Sequence, residues 1–138
     1  MDEMTREECW DFLREAEFGR LAFHLADEVH ITPVNYAVDG ETLLFRTAEG
    51  SKLLGIVMNQ DCAFEIDEFG DQEARSVVLR GRARLLEEDE EHRAENVPLR
   101  PWVAGPEKYN VVEITPLDMS GRSFHLHRPW RHIRLDEQ

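Results

Sequence analysis

The sequence predicts a mainly β fold: a small antiparallel barrel, or a strongly coiled sheet, closed by short helices. Three observations predict it. Alternation of apolar and polar residues recurs in about six short runs, the period expected of half-buried strands. Turn signals at Asp27-Glu28 and Asp39-Gly40 join neighbouring runs, and Asp-Gly between alternating segments is a strong hairpin signal. Regular strand–helix–strand alternation, which would argue for a parallel sheet, is weak.

The elements follow in order. Thr5-Arg6-Glu7-Glu8 is a capping box, with Thr5 as N-cap and Glu8 at N3. Cys9, Phe12, Leu13 and Ala16 continue at helical spacing, and Gly19 is the expected stop, so a helix is predicted over Arg6 to Phe18. Arg20 to Ala26 reads as a strand with Leu21, Phe23 and Leu25 on one face. Val29 to Val38 is the next and holds Pro33. Glu41 to Thr47 follows the Asp39-Gly40 turn with Leu43 and Phe45 on one face. Gly50 to Asn59 reads as a short helix with Leu53, Leu54, Val57 and Met58 as its apolar stripe. Asp61 to Phe69 and Ser76 to Leu86 are strands, Val78, Arg80, Arg82 and Arg84 sharing a face of the second. Glu87 to Glu95 is an acidic, helix-like stretch. Trp102 then sits in a loop bounded by Pro98, Pro101, Gly105 and Pro106. Tyr109 to Thr115 and Met119 to Leu126 are the last two strands, and the segment from His127 to Gln138 is a polar tail.

Composition narrows the function. The chain has 138 residues, 41% hydrophobic and 33% charged, which fits a single globular domain over 1–138. A domain of this size buries roughly 68–70% of the surface its unfolded chain exposes. A formal net charge of -13 opposes binding to nucleic acid or to anionic membranes. No apolar run approaches the roughly 20 residues of a membrane span, and the acidic start is not a signal peptide, so a cytoplasmic location is expected. Cys9 and Cys62, far apart and without a CxxC partner, read as small buried hydrophobes.

Against that acidic background one segment stands out. Phe45-Arg46-Thr47-Ala48-Glu49-Gly50-Ser51-Lys52 places two cations, two hydroxyls and a glycine between a strand end and a helix start. Backbone N–H groups at a helix start, a hydroxyl and a fixed cation are what a phosphate monoester binds best. Arg46 can offer two parallel N–H donors, and Lys52 a mobile point charge. The competing reading is a solvated loop in which Arg46 and Lys52 face Glu41 and Glu49.

The order of motifs carries more than any one of them. Gly19-Arg20-Leu21-Ala22 follows the first helix, and Pro33-Val34-Asn35-Tyr36 lies on the second strand. The Phe45–Lys52 segment follows the hairpin, then come Ala63-Phe64-Glu65-Ile66-Asp67 and Val77-Val78-Leu79-Arg80-Gly81-Arg82-Ala83. Over roughly Met4 to Thr115 this series resembles the pyridoxamine 5′-phosphate oxidase-related family of FMN-binding split-barrel proteins, in its short, nitroimidazole-resistance-like form. The resemblance implies a six-stranded antiparallel split β-barrel that dimerises with itself, with FMN at the subunit interface. It implies that Arg46, Thr47, Ser51 and Lys52 hold the phosphate. The flavin ring would lie along Val34, Asn35 and Tyr36, and Trp102 would reach the site from the partner chain. It also implies a flavin-dependent oxidoreductase acting on a small molecule, with no catalytic side chain to name, because a flavin brings its own redox chemistry. Relatives of this form also include deazaflavin users and haem-handling proteins, so the alternatives are a non-enzymatic flavin or haem storage or sensor protein of the same fold, or a deazaflavin-dependent reductase. The C-terminal stretch Gly121–Trp130 does not match the arginine-rich substrate motif of true pyridoxamine-phosphate oxidases.

Other clusters read as structural. His125, His127 and His132 lack a fixed further ligand, so no metal is expected. The Arg80, Arg82 and Arg84 ladder is expected to pair across strands with Glu65 and Asp67. Glu87 to Glu91 is a solvated helix start, and Trp10 and Phe12 are core or dimer-packing groups.

Overall fold

A computed structural model describes residues 2–47, 51–95 and 110–127, with the backbone alone described over 51–54. The elements are β1 (Asp2–Met4), α1 (Arg6–Glu15), β2 (Phe18–Leu25), β3 (Glu28–Asn35), β4 (Ala37–Asp39), β5 (Thr42–Thr47), α2 (Ser51–Met58), β6 (Asp61–Phe69), β7 (Glu73–Leu85), a 3₁₀ turn at Glu88–Glu90, α3 (His92–Glu95) and β8 (Asn110–His125). Among the described residues β2, β3, β5, β6, β7 and β8 are the six long strands, and the other two have three residues each. All pair antiparallel in the order β3-β2-β6-β7-β8-β5-β4, with β1 added on β8. β3 and β5 approach each other where the curled sheet nearly closes. This is the expected split barrel.

Local chemistry sets the elements. The Thr5 capping box forms: Glu8 N–H donates to Thr5 Oγ1 at 3.1 Å, and Thr5 N–H donates to Glu8 Oε1 at 2.8 Å. α1 ends at Glu15, before the predicted Phe18, because Ala16 turns extended (ψ 164°) while its N–H still donates to Phe12 O. Gly19 is therefore not a helix stop; it lies inside β2, packed on Phe64. The predicted strand Val29 to Val38 is two strands, β3 and β4, broken at Tyr36. There the Tyr36 backbone N–H donates to Glu17 O, and its hydroxyl donates to Leu13 O at 2.7 Å. The two predicted C-terminal strands are one, β8, which runs through Pro116 where the β7 pairing shifts beside Gly81. A bulge is where an antiparallel strand tolerates proline.

The core lies between α1 and the concave side of the sheet. Leu13, Leu21, Leu43, Phe45, Leu79, Val112 and Ile114 have no exposed surface, and each such side chain contributes about 1.5–3 kcal/mol of burial. Cys9 and Cys62 are free and buried, as expected; burial holds the Cys62 thiol up at about 12. A second, smaller cluster of Leu44, Leu86, Ala94 and Val111 covers the other face of β5. Among the described residues no helix is long and apolar enough to cross a membrane.

The two hairpins that set the opening use similar turns. Asp39 pairs with Thr42, so the loop is Gly40-Glu41 and Asp39 is the last strand residue. Gly40 takes φ +61°, as the first central residue of a type II′ turn does. In the β2–β3 hairpin that position falls to Ala26, with φ 56°. A Cβ there is strained. Ala26→Gly is therefore expected to raise stability by about 0.5–1 kcal/mol, read as a higher urea midpoint at unchanged m-value.

Candidate functional site

The strand-to-helix junction forms where the sequence places it. β5 ends at Thr47 and α2 opens at Ser51, with 48–50 between them outside the described residues. Arg46 lies opposite Val111 and Thr47 opposite Asn110 on β8. Strand alternation sends the two side chains to opposite faces. Thr47 shares the face of Leu43 and Phe45 and is only 5% exposed, whereas Arg46 is half-buried on the other face. One anion can meet both only at the strand's end, where the helix begins. Ser51 and Lys52 form the first turn of α2 by backbone; their side chains lie outside the described residues, and so does Trp102.

What aims α2 is a close contact that the periodicity does not reveal. Gly55 lies against β2 so tightly that a Cβ there would sit 2.6 Å from Phe23 Cδ2 and 2.7 Å from His24 O. Phe23 in turn stacks on the His30 ring of β3, centroids 5.4 Å apart. Among the side chains of α2 that are described, Gly55 and Ile56 are buried, while Val57 and Met58 are more than half exposed. The predicted stripe is thus wrong for Val57 and Met58. In a helix of eight mostly apolar residues the pattern cannot choose a face, and the choice falls to the residue without a side chain.

The strand segment Val34-Asn35-Tyr36 divides. Val34 and Tyr36 are in the core, 4% and 2% exposed, with Tyr36 edge-on to Phe64. Only Asn35 directs its side chain away from the core, and its Nδ2 donates to Glu17 O at 3.1 Å. A planar ligand along this stretch would meet backbone and Asn35, not the Val34 and Tyr36 side chains. Among the described residues β3 is an edge of the sheet, with no described strand partner on one side of its backbone.

Charged groups elsewhere sort differently from expectation. The arginine ladder does pair across strands, but not with Glu65 and Asp67. Arg80 pairs with Asp118, Arg82 with Asp61, and Arg84 with Glu90 and Glu113. Glu65 and Asp67 share Arg20 instead. The register explains it: Ala63 lies opposite Arg80 and Val78 opposite Glu65, which leaves Arg20 as the cation facing Glu65. Burial, helped by the neighbouring Asp67 carboxylate, lifts the Glu65 carboxyl above its ordinary range against the opposing pull of Arg20. His125 ends β8 and His127 lies beyond it, so the pair does not share a strand face; His132 is outside the described residues.

Sequence reasoning missed one network. Glu113, 6% exposed, accepts hydrogen bonds from Arg84 and Arg93, and Arg93 also donates to Asp39 at 2.7 Å and Thr42 at 3.2 Å. It fastens α3 to the β4–β5 hairpin that leads into the junction. The available signal was a carboxylate among Val111, Val112 and Ile114, since such a group is rarely buried without a partner.

The family profile described as pyridoxamine 5′-phosphate oxidase matches residues 5–123. The chain belongs to the pyridoxamine 5′-phosphate oxidase family. Among its relatives, an uncharacterised protein of Mycobacterium tuberculosis is 41% identical over 88 residues, covering 63% of this chain and 79% of that one. A crystal structure from Corynebacterium glutamicum is 38% identical, with a TM-score of 0.82 over 91% of this chain and 98% of that one. The FAD binding protein from Mycobacterium smegmatis is 32% identical, with a TM-score of 0.77 over 91% of this chain and the whole of that one. The matched span includes every described residue of the pyridoxamine 5′-phosphate oxidase-like junction, from β5 through α2.

Proposed function

We propose that this protein binds a flavin nucleotide and serves as a flavin-dependent oxidoreductase for a small organic molecule. The observation that carries this reading is the β5–α2 junction, with Arg46 and Thr47 at the strand end and a helix N-terminus following, inside a chain of this family. The residue chemistry fits the cofactor. Thr47, the Ser51 and Lys52 backbone N–H groups and the Arg46 guanidinium offer donors to a phosphate. The free edge of β3 offers backbone to a ring. A bound flavin supplies hydride and electron transfer, while the protein's groups bind, orient and exclude water. FMN, with a single phosphate, is the cofactor these residues need. FAD is the second reading, favoured by the 32%-identical relative described as FAD binding.

Titration of the purified chain with FMN and with FAD tests this. FMN is expected to bind saturably. Arg46→Ala combined with Lys52→Ala is expected to weaken FMN by about a hundredfold, two charge-assisted contacts being worth some 1.5–3 kcal/mol each before compensation. Riboflavin, which lacks the phosphate, should bind the parent and the variant alike. No saturable binding of either nucleotide would end the proposal. Tighter binding of FAD than FMN would replace the cofactor.

We infer further that the active form is a homodimer joined through the convex face of the sheet. Val29, Ile31, Val78 and Leu117 are 70%, 71%, 45% and 61% exposed there. Ile31, Ala22 and Ala63 lie side by side across three strands and line an apolar cleft of about 160 Å³ with Val78. Exposed apolar surface of this continuity marks an interface. Sedimentation should give a dimer for the parent and a monomer for Ile31→Asp; a parent that is monomeric at micromolar concentration rules the interface out.

A further inference from the structure

On the convex face one guanidinium serves two carboxylates. Arg20 Nε donates to Glu65 Oε1 at 2.8 Å, Nη2 donates to the same oxygen, and Nη2 also lies 2.9 Å from Asp67 Oδ2. The Arg20, Glu65 and Asp67 side chains are 30%, 31% and 34% exposed, so water reaches them from one side only. With both acids ionised the cluster carries one negative charge in excess. The neighbouring strands supply no second cation among the described residues. On β7, Val78 lies opposite Glu65 and Ser76 opposite Asp67, while Arg80 lies opposite Ala63 and is bound to Asp118. On β3, Pro33 lies opposite Arg20. The other charged or titratable groups of this face on β6 and β2 are Asp61, paired with Arg82, and the exposed His24.

The cluster borders the apolar cleft. Arg20 and Glu65 line it together with Ala22, Ile31, Ala63 and Val78. A second copy seated there removes water from Glu65. An ionised carboxyl loses more by that than a neutral one, and the Asp67 carboxylate beside it adds like-charge repulsion. The single chain already shows the direction: burial, then the contact with Asp67, lifts the Glu65 carboxyl. Resting on the homodimer reading above, we propose that the dimer is proton-linked: as two copies close over the cleft, Glu65 of each takes up a proton from solvent, shared by hydrogen bond with Asp67, so that mild acid tightens the dimer. The sign follows from linkage. A carboxyl that holds its proton more firmly in the dimer adds affinity that is complete below its titration in the separate chain. That affinity is lost as pH rises through its higher titration in the dimer.

Sedimentation equilibrium of the full chain from about pH 7.5 to about pH 5.5 tests this, in about 0.15 M salt so that repulsion between distant charges is screened within about 8 Å. One proton per protomer allows up to about a hundredfold per pH unit, and partial uptake across this range should tighten the parent dimer about tenfold. Glu65→Gln mimics the neutral acid and leaves Arg20 paired with Asp67. It should dimerise at the upper pH as tightly as the parent does at the lower, and vary by less than about threefold between them. Asp67→Asn, which leaves Glu65 alone with Arg20, should flatten the profile too and serves if Glu65→Gln fails to fold. Glu68→Gln removes a carboxylate from the opposite face and should keep the parent's response. A parent dimer whose dissociation constant stays within about threefold, or rises in acid, overturns the linkage. So does a response that survives in Glu65→Gln, as it would if His24 or the falling net charge caused it. A parent monomeric at every pH instead removes the dimer reading itself, and this inference with it.

Discussion

Gly55→Ala is expected to destabilise the protein by about 1–3 kcal/mol and to weaken flavin binding with it. The sign is what makes the experiment informative. In an exposed helix interior, glycine to alanine raises stability by about 0.8–1 kcal/mol, because alanine restricts the unfolded backbone. Here the added Cβ would lie 2.6 Å from Phe23 Cδ2, 2.7 Å from His24 O and 2.9 Å from Phe23 Cε2. The phenyl ring could turn aside, at the expense of its stack on His30. The His24 carbonyl is backbone in a paired strand and cannot. α2 must then shift off β2, and its N-terminus, which opens at Ser51, shifts with it. Urea titration gives the stability change and FMN titration the site change. In the Gly55→Ala background, Phe23→Leu should recover part of the stability but not all, since it removes only the side-chain half of the clash. A Gly55→Ala protein as stable as the parent would mean that α2 does not lie where the glycine contact puts it.

That contact also shows where sequence reasoning ran out. Strands announced themselves by alternation: Asp61–Phe69 has the predicted bounds, and the hairpin at Asp39-Gly40 pairs Asp39 with Thr42. The capping box at Thr5 was legible because its geometry is local. Non-local facts were not. Whether Val57 or Ile56 is buried depends on a glycine meeting a strand some thirty residues earlier in the chain. Which carboxylate faces Arg80 depends on register, and a shift of two residues exchanges every cross-strand partner. β8 reads in the sequence as two strands, Tyr109 to Thr115 and Met119 to Leu126, yet a register shift beside Gly81 lets one strand run through Pro116. For the site, the residue order pointed to the junction, and Arg46 and Thr47 are at its strand end. That their side chains leave opposite faces follows from a period of two and was available in advance. That Val34 and Tyr36 turn into the core was not, because the chain leaves the strand at Tyr36.

Glu113 is the other position where a single change should be costly. Its carboxylate sits on β8 opposite Leu44 of β5 and Arg84 of β7, 6% exposed, with Arg84 Nε donating to Oε1 at 2.8 Å and Arg93 donating to Oε2. Breaking a buried ion pair from one side typically costs 3–5 kcal/mol, because the partner charge is left uncompensated. The partners here are not fully buried: the Arg93 and Arg84 side chains are 24% and 43% exposed, so water relieves part of the loss. Glu113→Ala is therefore expected to cost about 3 kcal/mol, and Glu113→Gln nearly as much, since its amide must point N–H groups at a guanidinium. Arg93→Ala should cost less, because Glu113 keeps Arg84. It should loosen α3, whose Ala94 packs with Leu44, Leu86 and Val111, and with it the β4–β5 hairpin held through Asp39 and Thr42. A double-mutant cycle over Arg93 and Glu113 isolates the pair. Acid supplies an independent check. The hydrogen bonds from Arg84 hold the Glu90 carboxyl down at about 2, from an ordinary 4.5. Its contribution is thus complete above about 4.5 and disappears only as pH falls toward 2. At pH 3 the parent therefore keeps Arg84 paired with Glu90. A Glu113→Ala protein whose thermal midpoint equals the parent's at pH 7 would show that the network joins α3 to the hairpin in geometry but adds nothing to its stability.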